Sequence, residues 1–204
     1  MADERTGRVD AYEHDPRAII PLTRRDGLRV SRSLMQRVRS RRFTITTDAC
    51  FDRVILACAE RRTEGTWISP ELANLYLALH RAGSRRHVHA HSIEAWVDAP
   101  GGPSLVGGLY GVAVGAAFCG ESMFSRPDLG GTDASKVCLV HLIHHLNARG
   151  FRMLDSQIWN PHLARFGLVR LPKAAFKKSL AALRDTELAW EPFDPERAVL
   201  TDLA

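Results

Sequence analysis

Glu121 is the only charged residue in the stretch of residues 106–125, which reads VGGLYGVAVGAAFCGESMFS. A carboxylate in apolar surroundings costs several kcal/mol unless it is paired or hydrogen-bonded, so this residue lies either at a strand end in water or in a site. Glycines inside strands often mark the close approach of a ligand. Because glycines recur here, we expect two short strands, residues 107–114 and 116–125, to meet at Gly115 and wall a pocket that contains Glu121.

Asp155 and Gln157 form a second candidate pair in the segment FRMLDSQIW, residues 151–159. On a strand the two side chains would point to the same face, because the side-chain period is two. An acid beside an amide, with Asn160 and His162 just beyond, could orient and deprotonate an attacking amine. The alternative is that Asp155 only caps the helix that follows.

Basic residues concentrate between positions 24 and 42, where Asp26 is the single acid. The arginines of this segment are Arg24, Arg25, Arg29, Arg32, Arg37, Arg39, Arg41 and Arg42. A charge run of this kind is usually a solvated helix face. However, the run lacks acidic partners, and the planar guanidinium fork matches phosphate oxygens. We therefore interpret the segment as a surface that contacts phosphates.

The composition is that of an ordinary soluble globular protein, with 45% hydrophobic and 25% charged residues in a chain of 204. This length suits one domain with a full core and leaves room for a small appendage. No apolar run approaches the roughly 18 residues of a membrane span, and the charged N-terminus lacks the apolar region of a signal peptide. We therefore expect a cytoplasmic protein without a membrane partner. The net charge of +5 favours an anionic partner.

Neither the cysteines nor the histidines predict a metal site. The cysteines form no CxxC pair and are expected to be reduced core residues: Cys50, Cys58, Cys119 and Cys138. His87, His89 and His91 would share one strand face, which suits metal binding, but no further ligand occurs at a recognisable spacing. We expect His91 and Glu94 to be polar groups near the site instead, with no metal.

The elements that must position these groups follow from hydrophobic periodicity and capping residues. We predict strands over residues 43–47, 84–97 and 151–159, and helices over 48–58, 71–81, 134–149, 161–166 and 172–184. Asp48, Ser69 and Asp133 are expected to cap the first three helices, and residues 98–103 to form a hairpin turn. Residues 1–10 are expected to be a disordered arm, and the chain after Asp185 a loosely attached tail.

The predicted order of elements has one consequence for the sheet. A strand that follows a strand and a helix implies a parallel pairing inside a mostly antiparallel sheet. This order is that of the acetyltransferase-like (GNAT) fold, an α/β (α+β) architecture in which a mixed, mostly antiparallel sheet is flanked by helices.

Seven motifs together resemble one known family. Besides residues 107–125, they are DPR at 15–17, SRS at 31–33, EGTWI at 64–68, HAHSIE at 89–94, ASK at 134–136 and LDSQ at 154–157. In this order they resemble the bacterial leucyl/phenylalanyl-tRNA-protein transferases, which move an amino acid from its tRNA onto the N-terminus of a protein. The resemblance covers most of the chain from about residue 15 to 180, and it implies the same acetyltransferase-like fold.

The resemblance implies an aminoacyltransferase that needs no cofactor. Its co-substrate would be aminoacyl-tRNA carrying Leu or Phe, and its acceptor a protein that begins with Arg or Lys, as in the N-end rule pathway of degradation. One alternative is a small-molecule amine as acceptor, in a biosynthetic pathway. Another is an acyl-CoA N-acyltransferase, although the loop RPDLGGTDASK, residues 126–136, does not fit the CoA-binding spacing. A tRNA-binding protein without activity is the non-enzymatic alternative.

The resemblance also implies roles for individual residues. Asp155 would be the base or its electrostatic partner, Gln157 its relay and the group that orients the amine, and Glu121 the partner of cationic amino groups. The apolar pocket would be formed by Leu109, Phe118, Gly120, Met123, Leu142 and Leu154. The tRNA would contact Arg32, Arg37, Arg39, Arg41 and Arg42.

The N-terminal region differs from the family pattern. Relatives carry an FPW-like motif and a WW pair ahead of DPR, whereas AYEH precedes DPR here. We therefore expect a shortened N-terminal region, in which Tyr12 replaces one tryptophan as a stacking surface. Residues 1–40 are expected to be this arm and basic segment, and residues 41–204 the transferase domain.

Overall fold

The computed structural model describes residues 14–60, 66–82 and 87–193. Its strands are β1 (Arg17–Ile20), β2 (Thr44–Thr47), β3 (Val88–Ala99), β4 (Gly102–Val114), β5 (Ala117–Ser125), β6 (Met153–Asp155) and β7 (Val169–Leu171). Its α-helices are α1 (Arg32–Arg39), α2 (Phe51–Ala59), α3 (Pro70–Arg81), α4 (Ala134–Ala148), α5 (Pro161–Ala164) and α6 (Lys173–Leu183). The expected N-terminal arm, residues 1–10, lies outside the described residues.

All seven described strands form one sheet in the order β2-β3-β4-β5-β6-β1-β7. Their pairings are antiparallel except for β5 with β6, which is parallel because α4 connects them. The predicted mixed, mostly antiparallel sheet flanked by helices is therefore confirmed. The more specific likeness to acetyltransferases stays a prediction.

The centre of the sheet is the antiparallel meander β3-β4-β5. The predicted turns are confirmed at residues 100–101, between β3 and β4, and at residues 115–116, between β4 and β5. Gly115 has a φ of +56°, and a Cβ there would lie 2.1 Å from the carbonyl oxygen of Leu183. A glycine is therefore required where the end of α6 packs against this turn.

Helices cover both faces of the sheet. On one face α1 and α4 pack over the main cluster, to which α4 contributes Val137, Leu142 and Leu146. On the other face α2 and α3 pack over a second cluster that contains Phe51 and Tyr110. The sheet is thus buried on both sides, which explains the near-continuous apolar composition of β4.

The structure adds two strands that the sequence pattern did not predict. β1 lies inside the sheet between β6 and β7, with Ile19 opposite both Asp155 and Val169. Strands of three or four residues are too short to show a reliable alternation. The helix α1 also contributes Leu34 and Met35 to the main cluster, so residues 17–39 share one sheet and one core with the rest.

One of the three predicted helix caps is wrong in position, because Cys50 and not Asp48 precedes α2. Asp133 does occupy the N-cap position of α4, but its side chain makes no capping hydrogen bond. Asp48 and Asp133 have left-handed backbones, with φ of 57° and 64°, whereas an N-cap residue usually has an extended backbone. The Asp48 carboxylate accepts hydrogen bonds from the Ser92 amide at 2.9 Å and pairs with His91 Nδ1 at 2.7 Å. The Ser69 cap of α3 is confirmed, because its hydroxyl accepts the Leu72 amide at 3.2 Å.

The expectation of a loose tail after Asp185 is wrong for the described part, residues 186–193. The Trp190 ring stacks on His91 with 3.9 Å between centroids, and its Nε1 donates a hydrogen bond to Thr47 Oγ1 at 2.9 Å. Leu188 and Phe193 also pack against the main cluster. These apolar side chains are separated by polar residues, so no helical or strand period revealed their docking.

Candidate active site

A hollow opens where two neighbouring strands separate. β5 pairs with β6 only over Ala117–Cys119, opposite Met153–Asp155, and then continues without β6 to Ser125. The space between the diverging strands is a cavity of about 500 Å³. Residues 120–125 and 154–156 line it, so the two candidate stretches of the sequence meet at this position.

The wall of the hollow is largely apolar. Of the residues predicted to hold a substrate side chain, the structure brings five together: Leu109, Gly120, Met123, Leu142 and Leu154. Phe118 is different, because it lies where β5 and β6 are still paired and its buried ring faces Trp190 at 5.5 Å.

Sequence reasoning missed four further apolar residues that line the hollow: Ile20, Phe124, Leu139 and Leu163. Leu139 lies three residues before Leu142 on α4, a helical spacing that could have identified it. Ile20 could not be found in this way, because it enters the site through the pairing of β1 with β6.

Asp155 is the last residue of β6 and is fully buried. One carboxylate oxygen, Oδ2, pairs with the guanidinium of Arg17, and the other, Oδ1, accepts the backbone amide of Gln157 at 2.9 Å. The alternative role as a helix cap is excluded, because Asn160 Oδ1 caps α5 by accepting the Leu163 amide at 2.9 Å.

Gln157 does not lie on the strand, so the prediction that strand alternation brings it beside Asp155 is wrong. β6 ends at Asp155, and Gln157 has a left-handed backbone with a φ of 64°. This turn directs the side chain toward β5, where Nε2 donates hydrogen bonds to Glu121 Oε2 at 2.8 Å and to the Gly120 carbonyl oxygen at 3.3 Å. The three predicted catalytic residues are therefore connected, by a tight turn instead of strand alternation.

Glu121 is half-buried and is held by neutral groups. Burial raises the pKa of its carboxyl, while hydrogen bonds from the Gln157 amide and the Tyr76 hydroxyl partly oppose that rise. Tyr76 reaches the site from α3 and was missed in the sequence, although its helical spacing from Leu72 placed it on the buried side. A carboxylate with a raised pKa and two neutral donors is suited to exchange a proton.

His91 and Glu94 lie apart from the hollow, contrary to expectation. Both are on β3, which is separated from β5 by the whole width of β4. Glu94 is fully buried and accepts hydrogen bonds from Thr46 Oγ1 at 2.6 Å and Ser92 Oγ at 2.5 Å, so it stabilises the pairing of β2 with β3.

A second cavity, of about 450 Å³, lies beside His91. It is lined by His87, His89 and His91 and by residues 186–190 of the C-terminal segment. Within the described parts of the chain, no group of three or more His, Cys, Asp or Glu residues has the geometry of a metal site. Across the same residues, no helix has the length and apolar character to cross a membrane.

The arginine segment borders the hollow. The arginines expected to contact tRNA are exposed except Arg37, which is half-buried: Arg32, Arg37, Arg39, Arg41 and Arg42. Arg37 pairs with Asp133 at 3.3 Å, and Asp133 also binds Lys136, which lines the hollow. A continuous series of charges therefore leads from α1 to the cavity. Tyr12 lies outside the described residues.

Comparison with known proteins shows the family of this chain. The family model described as leucyl/phenylalanyl-tRNA protein transferase matches residues 22–181. The leucyl/phenylalanyl-tRNA--protein transferase of Salinibacter ruber is 43% identical over 201 residues, which is 98% of this chain and 81% of the relative. That of Rubrobacter xylanophilus is 49% identical over 179 residues, 87% of this chain and 85% of the relative. That of Gloeobacter violaceus is 42% identical over 180 residues, which is 88% of this chain and 84% of the relative.

These matches identify the chain as a transferase. More narrowly, it belongs to the leucyl/phenylalanyl-tRNA protein transferase family, and the resemblance predicted from the seven motifs is confirmed.

Proposed function

We propose that this protein transfers an amino acid, Leu or Phe, from aminoacyl-tRNA to the free N-terminal amine of a protein that begins with Arg or Lys. The observation that carries the proposal is the hollow of about 500 Å³ that has Glu121 and Asp155 in its wall, with Gln157 hydrogen-bonded to both. The names of the relatives support the same donor and acceptor.

The hollow suits the side chain of an esterified apolar amino acid. Leu109, Met123 and Leu142 offer no polar partner, so a charged or amide side chain would lose its hydration there. Among apolar side chains the selectivity is modest, because each methylene in such a pocket is worth about 1 to 3 kcal/mol.

The reaction requires positioning and a route for one proton. The acceptor nitrogen attacks the ester carbonyl carbon, and a tetrahedral intermediate forms. The bond from that carbon to the ribose oxygen then breaks, and the new carbon–nitrogen bond is the peptide bond. The proton that the amine loses ends on that ribose hydroxyl. Because the ester is already activated, the chain needs no cofactor for this step.

The two carboxylates divide the work. Both oxygens of Asp155 already accept protein hydrogen bonds, so Asp155 acts as the electrostatic partner instead of the base. Glu121, held by neutral donors, binds the acceptor's amino group and receives its proton. Gln157 lies between them and orients the amine.

The exposed arginines of α1 and of the residues just after it would bind the acceptor arm of the tRNA. Arg32, Arg39 and Arg41 are solvent-exposed, and the charged series through Asp133 and Lys136 borders the hollow. Since the donor is a component of translation, we infer that the protein works in the cytoplasm.

The test is a transfer assay with labelled leucyl-, phenylalanyl- and seryl-tRNA and a peptide that begins with Arg. We expect label from the first two tRNAs on the peptide, and none on the same peptide with an acetylated N-terminus. Release of label from tRNA only when a small amine is supplied would instead favour a biosynthetic acceptor. No release with either kind of acceptor would contradict the proposed function.

A further inference from the structure

Arg17 is a buried cation that no role described so far requires. It begins β1, and its guanidinium pairs with the buried Asp155 carboxylate. The same guanidinium lies 4.7 Å from the centre of the Phe176 ring of α6. Only 14% of the Arg17 side chain is exposed, so its orientation is fixed by these two contacts.

The contacts of Asp155 connect Arg17 to Gln157. With one carboxylate oxygen on Arg17, the other accepts the Gln157 backbone amide, and the Gln157 carbonyl oxygen accepts the Ala18 amide of β1 at 3.2 Å. Gln157 has a left-handed backbone, which a residue with a side chain adopts only when its surroundings impose it. Here the surroundings are β1 and the carboxylate that Arg17 holds.

We propose that Arg17 is a positioning residue, which acts through Asp155 to keep the Gln157 amide directed at Glu121. The kinetic consequence of this inference rests on the proposed function. The geometric consequence does not, because the position of the Gln157 amide can be measured without turnover. Without Arg17, Asp155 would turn and the Gln157 amide would leave Glu121, whereas the apolar wall of the hollow would remain.

A lysine cannot replace this arginine. The planar guanidinium both pairs with Asp155 and stacks on Phe176, whereas an ammonium group is a point charge without a flat face. Arg17→Lys therefore preserves the charge of the pair and tests its geometry alone.

The kinetic test compares Arg17→Lys with Arg170→Met, a matched control on the neighbouring strand β7, opposite Ala18. For Arg17→Lys we expect kcat to fall about 100-fold, as for a misplaced catalytic group, and KM for aminoacyl-tRNA to change less than about twofold. The control should keep both constants. An Arg17→Lys variant with the kcat of the native protein would overturn the inference.

A double-mutant cycle separates positioning from general loss of stability. If Arg17 acts through Gln157, Arg17→Lys should lower kcat no further in a Gln157→Ala background. Multiplication of the two single effects would overturn the inference.

A crystallographic test does not depend on activity. If Arg17→Lys fails to fold, Arg17→Met combined with Asp155→Asn removes both buried charges and keeps the chain foldable. In that variant we expect the Gln157 amide to be displaced from Glu121, and an unchanged contact would overturn the inference. A native protein that fails to transfer amino acids would count against the proposed function alone.

Discussion

At the scale of single residues, the site depends on two carboxylates with different partners. Asp155 is fully buried and faces the cation of Arg17, whereas Glu121 faces the neutral amide of Gln157 and the hydroxyl of Tyr76. The first carboxylate is thus held by a cation and the second by neutral donors. Stability and activity should therefore respond differently when each group or its partner is altered.

Glu121→Gln should stabilise the protein at neutral pH. Burial raises the pKa of Glu121 above 4.5, so the folded state binds its proton more tightly than the unfolded state. The carboxylate thus destabilises the fold progressively as pH rises from about 4.5 through the raised pKa. We expect Glu121→Gln to raise Tm at pH 7 but not at pH 4. The exposed Glu60→Gln serves as the control, and an equal gain at both pH values would contradict the prediction.

Tyr76→Phe should change the pH profile of the reaction. The Tyr76 hydroxyl stabilises the Glu121 carboxylate, so its loss raises the pKa of Glu121 further. Since the ionised form receives the acceptor's proton, the acidic limb of kcat/KM should move to higher pH. Measurement from pH 5 to 9 tests this, and a limb in its native position would show that Glu121 is not the proton acceptor.

Arg17→Met should destabilise the fold strongly. It leaves the Asp155 carboxylate buried without its cation, which typically costs about 3 to 5 kcal/mol. Adding Asp155→Asn should recover much of that loss, as measured by urea unfolding. If the double variant is less stable than Arg17→Met, the ion pair is not the source of the effect.

At the scale of elements, the hollow exists because β5 extends six residues, 120–125, beyond its pairing with β6. Gly120 stands at the point of separation, where an added Cβ would lie 3.5 Å from the Asp155 carbonyl oxygen. At Gly107, by contrast, an added Cβ would lie 2.4 Å from the Cβ of Ala134 on α4. Gly107 and Gly120 therefore have different functions. Gly120 gives space to the hollow, and Gly107 permits α4 to pack against β4.

Substitution of these two glycines by alanine should separate activity from stability. Gly107→Ala should cost about 1 to 3 kcal/mol, because α4 must move away from β4. Gly120→Ala should leave Tm nearly unchanged but narrow the hollow, so kcat/KM should fall more for phenylalanyl-tRNA than for leucyl-tRNA. Equal losses for both donors would show that position 120 does not line the donor pocket.

Local pattern predicted some elements well and others poorly. The β4–β5 hairpin and the Ser69 cap were predictable, because turn glycines and capping hydroxyls act within a few residues. The short strands β1 and β7 were not, since their pairing partners are distant in sequence. The proximity of Asp155 and Gln157 was predicted, but through a strand that the structure replaces with a left-handed turn.

At the scale of the whole molecule, segments near both ends of the described chain pack into the fold. β1 inserts between β6 and β7, and the C-terminal segment carries Trp190 onto His91 and Thr47. Neither contact follows from local pattern, because each joins residues at least 99 positions apart. Trp190 does not line the candidate hollow, so we expect this packing to support stability more than chemistry.

Trp190→Ala should lower stability without altering the site. Because the ring is partly buried, loss of its packing on His91 and Phe118 should cost up to about 3 to 5 kcal/mol, the range for a large aromatic residue in a core. Trp159→Ala is the matched control, because that ring is 44% exposed and its loss should cost less than about 1 kcal/mol. Thermal unfolding compares them. A Trp190→Ala variant with native Tm would show that the segment is only loosely docked.

The most direct test of the central claim is a crystal structure with a stable amide analogue of 3′-phenylalanyl-adenosine. We predict its phenyl ring between Leu109, Met123 and Leu142, with its amide carbonyl carbon facing the group formed by Gln157 and Glu121. A ring bound instead in the second cavity, beside His91 and Trp190, would contradict the account.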